Sequence, residues 1–348
     1  MNRLKLRLFQ LGLFIMLIAA LEFISKLVLS WEEKDFPYFI NTLPEFGSSF
    51  SGYDFDPLLG WSLKKEVLES TGFTVKKRIL QLGKGNSSGI TILITGGSTT
   101  DLVMNKENWP VQLFNLFEER KLNATIYVAS VGGYNSGQEL LRLIRDGIEL
   151  KPDIHISYSG ANESNWPDYS SAEANQVYEN TLRSFGSIII PNTVFLIRSG
   201  FSSLFTDQTI LYKPYNKSNK SYQAYEFWIK NMKIMKGISE AYGYRFYGIL
   251  QPVLGMTYDQ PHQPFIHHPG ILDNLNNYCE FYPNAMKLVP NEECLYDFTN
   301  IFDNETGYVF SDECHLAQTY YQVCVAERVF ELLDNSSNNF DLKTKRVD

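Results

Sequence analysis

Three apolar, β-branched runs, each closed by glycine and separated by stretches of helical periodicity, constrain this chain more than any other feature. Ile90-Thr-Ile-Leu-Ile-Thr95 runs into Gly96-Gly97, Ala124–Ala129 ends at Gly132-Gly133, and Asp153–Ser157 ends at Gly160. A short continuous apolar run bounded by glycine reads as a strand covered on both faces. Trp109–Lys121 carries Val111, Leu113, Phe114 and Phe117 at helical spacing. Gln138–Leu150 does the same with Leu140, Leu141, Leu143 and Ile144. Strand, helix, strand, helix, strand with short exits predicts parallel pairing with helices on both faces. The expected fold is therefore α/β, a three-layer α/β/α sandwich with a mostly parallel sheet. Later, Tyr244–Leu250 reads as a further strand and His315–Leu333 as a closing helix that buries Val323, Val325, Val329, Phe330 and Leu333. Ligands of such sheets bind at the carboxyl ends of the strands. All three exits carry small or polar residues, so chemistry is expected there.

Composition decides two further points. The chain has 348 residues, 44% of them hydrophobic, which is ample for a packed core and excludes wholesale disorder. Its net charge is −8, and residues 1–30 carry +3, so the remainder holds −11. Beyond residue 40 the densest basic stretch is Lys76-Lys-Arg78. Phosphate contacts need clusters of Lys and Arg, so nucleic acid is excluded as a partner.

The N-terminus carries a membrane signal. Arg3, Lys5 and Arg7 precede Leu8–Leu21, an apolar run broken only by Gln10. That run fits a signal-peptide core, while Leu8–Leu29 approaches the ~20 residues of a spanning helix. An uncleaved single-pass anchor and a cleaved signal both remain open, with a surface amphipathic helix as the third alternative. Basic residues before the run and Glu32, Glu33 and Asp35 after it place the N-terminus in the cytoplasm and everything beyond residue 35 outside. The expected plan is residues 1–30 as signal-anchor or transmembrane helix and 31–88 as stem and lead-in. Residues 89–334 form the α/β domain, and 335–348 a polar tail.

The four cysteines, Cys279, Cys294, Cys314 and Cys324, all lie beyond residue 278. An even count in an extracytoplasmic domain points to two disulfides, with buried free thiols as the alternative. None forms a CxxC or pairs with histidine at zinc-finger spacing, so no structural metal is expected. At the two ends of one helix, Cys314 and Cys324 would stand ~15 Å apart. That exceeds the ~7 Å a disulfide spans, which leaves either pairing with Cys279 and Cys294.

Four short blocks carry chemistry. Ser98 follows the Gly-Gly turn after a buried strand, where a hydroxyl stands exposed above the sheet and backbone N–H groups can stabilise an oxyanion. Asp312-Glu-Cys-His315 sets a carboxylate three residues from a histidine, which can fix the ring tautomer and leave the other nitrogen as a base. The bland alternative for Asp312 is a helix N-cap. Gly133 and Asn162, at the other two strand exits, can supply N–H donors to one carbonyl oxygen, or be plain turn residues.

In this order the blocks resemble the SGNH/GDSL hydrolase superfamily. They are Thr95-Gly-Gly-Ser-Thr-Thr100, Ala129-Ser-Val-Gly-Gly-Tyr-Asn-Ser136, Ser159-Gly-Ala-Asn-Glu163 and Asp312-Glu-Cys-His315. The likeness is strongest to bacterial membrane-anchored members, through Asp56-Pro-Leu-Leu-Gly-Trp61, Asn108-Trp-Pro110, Gly133–Leu143, Arg145-Asp146 and Leu150-Lys-Pro-Asp153. The resemblance implies Ser98 as nucleophile, His315 as general base and Asp312 as its orienter. It implies an oxyanion hole from the Ser98 and Gly133 backbone N–H groups and the Asn162 side chain, with no cofactor or metal. Gly97 stands where the family commonly has Asp, and Glu163 where it commonly has Asp after the asparagine. Cys314, beside the base, is expected in a disulfide that pins the catalytic loop.

The expected activity is a serine esterase that removes O-acyl groups, acetyl first as the family's range implies, from extracytoplasmic glycans or lipid-linked saccharides. The alternatives are an O-acyltransferase fed by a membrane acyl-donor partner, and a catalytically silent glycan-binding domain. Outside these blocks, His262, His267 and His268 with Asp259 read as a solvated or substrate-facing loop rather than a metal site. Trp166, Tyr169 and the Tyr212–Tyr225 loop are candidates for stacking on sugar rings. His155, inside a strand, reads as a packed core residue.

Overall fold

The computed structural model describes residues 52–56, 58–85, 89–165, 224–256 and 269–335, together with most of 10–24. The chain divides into two compact units, Met1–Ser51 with Glu173–Ser221, and Gly52–Ala172 with Tyr222–Asp348. In the first unit the described residues, between 10 and 24, are helical. Among the described residues no helix is long and apolar enough to cross a membrane. The spanning helix expected over Leu8–Leu29 is thus unsupported, and residues 8, 9, 11, 13, 22 and 25–29 of it fall outside the described set.

The second unit holds the sheet. A hairpin of β1 (Tyr53–Asp56) and β2 (Gly60–Leu63) is followed by α1 (Lys65–Ser70), β3 (Thr74–Lys76) and β4 (Ile79–Leu82). Then come β5 (Ile90–Gly96), α2 (Trp109–Glu119), β6 (Ala124–Val128), α3 (Ser136–Arg142), β7 (Ile154–Ser159) and α4 (Ala161–Asn165). The chain closes through α5 (Ala224–Tyr242), β8 (Arg245–Leu250), α6 (Pro269–Leu288), β9 (Leu295–Asp297) and α7 (Thr319–Asn335). The strand order of the main sheet is β3-β4-β6-β5-β7-β8-β9. From β6 to β9 all pairing is parallel, while β3 and β4 extend the sheet antiparallel beyond β6.

The two faces of the sheet follow from side-chain alternation along each strand. Ile92, Ile94, Ile126, Val128, Ile154 and Ile156 pack with Trp109, Leu113 and Phe117 of α2 and Val325, Val329 and Leu333 of α7. Leu93, Tyr127, Phe246 and Leu250 face the other way, onto Trp228 and Met232 of α5 and Phe281 and Tyr282 of α6. Each fully buried aliphatic or aromatic side chain of this kind contributes about 1.5–3 kcal/mol. Because β6 and β7 flank β5 on opposite sides, the strand order reverses at β5. A reversal of this kind opens a crevice at the carboxyl end of the sheet, beside Ser98.

Two helices differ from their sequence reading. The helix expected over Gln138–Leu150 is α-helical only to Arg142, then a π turn over Leu143–Gly147 and a 3₁₀ turn over Ile148–Leu150. The closing helix begins at Thr319, leaving His315 in the preceding loop.

Candidate active site

Ser98 lies in a tight turn directly after β5. Thr100 N donates to Gly97 O at 3.1 Å and Asp101 N to Ser98 O at 3.3 Å. The turn is anchored from both sides: Trp109 Nε1 donates to Thr100 Oγ1 at 3.2 Å, and Thr99 Oγ1 to Gln251 Oε1 at 3.1 Å. Asp101, three residues on, reaches across to the β6 exit, where its Oδ2 accepts from Gly132 N at 3.0 Å. Burial pushes the Asp101 carboxyl up to about 6, against the backbone N–H groups that favour its charged form.

The His315 loop is shaped by Asp312. One carboxylate oxygen, Oδ1, accepts from the backbone N–H groups of Cys314 at 2.9 Å and His315 at 2.7 Å. The other, Oδ2, lies 2.6 Å from His315 Nδ1. Asp312 therefore caps a turn and not a helix, which begins only at Thr319, while its other oxygen stands against the imidazole. Ser311 N donates to His315 O at 2.8 Å, and Phe310 bridges Leu316. These bonds hold His315 in a turn and delay the helix. His315 Nε2 is 2.7 Å from Ser98 Oγ, although 217 residues separate the two. Asp312 accepts, so the ring proton belongs on Nδ1 and Nε2 is left to accept from the Ser98 hydroxyl.

Charge governs this pair. Burial alone would raise the Asp312 carboxyl, but the His315 hydrogen bond and charge outweigh it and hold Asp312 below the usual carboxylate range. A charged Cys314 sulfur would do most to raise the His315 imidazole, with burial opposing and the Asp312 hydrogen bond adding to the rise. Burial pushes the Cys314 thiol itself up, so near neutrality it is uncharged and the raising that counts comes from Asp312.

The other two strand exits meet at the same place. Asn162 Nδ2 donates to Tyr134 O at 2.8 Å, which fixes the amide and leaves its second N–H to spend on a ligand. A Cβ at Gly97 would run into Asn162 Nδ2 and come within 3.2 Å of Tyr134 O. Asn162 thus occupies space that an aspartate at position 97 would need. Gly133 has φ +82°, a conformation open to glycine, with the Trp61 indole against its Cα. Trp61 Nε1 donates to Gly132 O at 3.0 Å, so the lead-in hairpin holds the β6 exit. The structure brings Ser98 and Asp312 each into hydrogen-bond contact with His315 and sets Asn162 against the residues preceding Ser98 and following Gly133.

Two carboxylates are buried behind this site: Glu163, which the sequence marked only as a departure from the commoner aspartate, and Glu139, which the sequence reading missed. Glu163 accepts from Ser136 N through Oε1 and from Gly160 N at 3.0 Å through Oε2, joining the β6 and β7 exits. Glu139 accepts from Thr95 Oγ1 at 2.8 Å and Ser157 Oγ at 2.6 Å. Burial, and then the Glu163 charge, push Glu139 up to about 8. The available signal was Thr95 and Ser157, hydroxyls within apolar strands that the β5–β7 register sets side by side. His155 is a packed core residue, its Nε2 3.0 Å from Thr95 Oγ1, and burial holds its ring neutral.

The disulfide expectation is corrected: Cys279, Cys294, Cys314 and Cys324 are all free thiols. Cys324, on α7, packs on the α2 side of the sheet, whereas Cys294 and Cys314 are buried on the α6 side, so the sheet separates them. Cys279 is exposed on α6. The loop that carries His315 is pinned instead by the Asp312 carboxylate. Asp259, His262, His267, His268, Trp166, Tyr169, residues 212–223 and the tail beyond 335 lie outside the described residues.

Neither a family model nor a curated relative matches this sequence. Solved structures with a similar fold include an acetyl xylan esterase (AlAXEase), at 13% identity and TM-score 0.43, over 70% of this chain and 100% of that one. The psychrotrophic esterase EstA from Pseudoalteromonas sp. is similar at 14% identity and TM-score 0.40, over 72% of this chain and 99% of that one. A GDSL-like lipase from Bacteroides thetaiotaomicron is similar at 14% identity and TM-score 0.37, over 71% of this chain and 88% of that one. Likenesses this distant carry no argument about chemistry, which rests on the geometry above.

Proposed function

We propose that this chain is a serine hydrolase of the SGNH type that cleaves ester bonds. The observation that carries the reading is the continuous hydrogen-bonded line Asp312 Oδ2–His315–Ser98 Oγ, at 2.6 and 2.7 Å, standing at the carboxyl end of β5. Ser98 Oγ attacks the ester carbonyl as its proton passes to His315 Nε2. Asp312 stabilises the imidazolium that results. Charge developing on the carbonyl oxygen is met by the Ser98 and Gly133 backbone N–H groups and the second N–H of Asn162. The tetrahedral intermediate collapses as His315 returns the proton to the departing alkoxide, leaving an acyl group on Ser98. Water, deprotonated by His315, then releases the acid.

The substrate we propose is an O-acyl group, acetyl first, on a glycan or lipid-linked saccharide outside the cytoplasmic membrane. The basic residues and apolar run at the N-terminus support that address, whether the segment anchors the chain or is cleaved. The test is turnover of p-nitrophenyl acetate by the purified full chain beside Ser98→Ala. A loss of at least a thousandfold in a folded variant is the expected result. Equal rates would overturn the assignment in favour of a silent glycan-binding domain. Adding sugar acceptors to the same assay separates hydrolysis from transfer, because a transferase releases little free acid and speeds up with acceptor.

A further inference from the structure

The loop that carries His315 holds three groups of metal-ligand type around one point. Asp312 Oδ2 is 2.6 Å from His315 Nδ1, and Cys314 Sγ is 3.7 Å from the same nitrogen. The three ligand atoms all lie within 4.8 Å of one another. Ester cleavage as described uses Asp312 and His315 and gives the sulfur no role. Cys314 is a free thiol, buried on the inner side of the loop. The Asp312 and His315 side chains each keep 32% of their surface open, which gives an ion a way in.

The dimensions suit a tetrahedral site. Zinc binds oxygen and nitrogen at about 2.0–2.2 Å and sulfur at about 2.3 Å, which sets neighbouring ligands roughly 3.3–3.6 Å apart. The nitrogen–sulfur pair already stands close to that spacing. The Asp312–His315 pair has to open by roughly 0.7 Å to reach it. Asp312 Oδ1 stays on the backbone N–H groups of Cys314 and His315, so the loop is held in shape while Oδ2 turns to the metal. Thiolate, imidazole and carboxylate together select a zinc-like ion over magnesium or calcium, which prefer oxygen.

We propose that Asp312, Cys314 and His315 form an inhibitory site for a thiophilic divalent cation of the zinc class. Binding forms metal bonds to Oδ2, Sγ and Nδ1, and no electron is transferred. The Cys314 thiol proton passes to solvent, and the ring proton leaves Nδ1 for Nε2. With its proton on Nε2 the ring donates and no longer accepts from Ser98, and Asp312 no longer orients it. The inhibition rests on His315 being the catalytic base, whereas the binding does not.

The test titrates the full chain with Co²⁺ as a spectroscopic stand-in and Zn²⁺ as competitor. A thiolate-to-cobalt charge-transfer band in the near ultraviolet is expected for wild type and for Cys279→Ser, bleached by one equivalent of Zn²⁺. The band is expected to vanish in Cys314→Ser and Cys314→Ala, each checked for folding by thermal melting. In parallel, the Zn²⁺ that bleaches the band is expected to lower p-nitrophenyl acetate turnover at least tenfold. EDTA restores it, and Cys314→Ser turns over regardless of zinc. No band in wild type, or a band that survives both Cys314 variants, overturns the site. A Cys314-dependent band in a wild type without esterase turnover overturns the hydrolase reading and upholds the metal site.

Discussion

His315 has its proton placement decided by Asp312, and this fixes what changing single atoms does. In Asp312→Asn the amide can donate as well as accept, so it no longer compels the proton onto Nδ1. The expected loss is about 10²–10⁴ in kcat with KM little changed, read by steady-state kinetics on a soluble ester. The same carboxylate raises the His315 imidazole, and the base works only when neutral. In wild type, kcat/KM is therefore expected to climb with pH and level off above the ordinary imidazole range, and the climb moves to lower pH in Asp312→Asn. At Gly97 even a methyl group meets Asn162 Nδ2, so Gly97→Ala is expected to displace the oxyanion donor proposed there. Loss of such a donor costs about 10²–10³ in kcat, and the melting temperature checks that the fold survives. At this scale the sequence was legible in which side chains meet, since Ser98, His315 and Asp312 stand in one hydrogen-bonded line. It was silent on Glu139, because a glutamate near a helix start reads as solvated until the strand register puts Thr95 and Ser157 beneath it.

Elements set these residues by their ends. The exits of β5, β6 and β7 carry Ser98, Gly133 and Asn162, and all three strands were readable from apolar runs stopped by glycine. The β1–β2 hairpin was not, since its purpose appears only in contacts across the chain. Asp56 Oδ1 accepts from Leu58 N and Leu59 N, each at 3.0 Å, while its Oδ2 pairs with Arg145 at 2.6 Å. Arg145 is also held by Asp146, so two sequence patterns 89 residues apart turn out to be one joint. That joint carries Trp61 onto Gly132 and Gly133. Removing Asp56 from this part-buried pair leaves Arg145 with Asp146 and frees the Leu58 and Leu59 N–H groups, a cost of about 1–3 kcal/mol. Asp56→Ala is accordingly expected to lower the midpoint of denaturant unfolding and to reduce kcat through a loosened β6 exit. A lowered midpoint with unchanged kcat would confine the joint to stability. The late start of α7 shows the limit of periodicity: the pattern extends back to His315, yet the Asp312 carboxylate takes the backbone N–H groups of Cys314 and His315 and holds them out of a helix.

For the whole molecule, the parallel sheet with helices on both faces was legible because covered strands and amphipathic helices leave few other solutions. The thiol chemistry was not, since spacing cannot say that a sheet lies between Cys324 and its prospective partners. The buried Glu139 gives the folded state a pH signature. Its ordinary value is 4.5 and the fold raises it to about 8, so between these the native chain holds a proton that the unfolded chain has released. Stability from this group is then complete below about 4.5 and is lost as pH rises through about 8. Melting temperature is expected to fall over that window, and Glu139→Gln, which cannot ionise, is expected to flatten the fall. The central claim, that the assembled sheet presents Ser98 as a nucleophile, is tested most directly by a fluorophosphonate probe and peptide mass spectrometry on the full chain. One phosphonyl group on Ser98, lost in Ser98→Ala and slowed in His315→Ala, is the predicted result. A folded protein whose Ser98 stays unmodified, or that labels equally after Ser98→Ala, would contradict it.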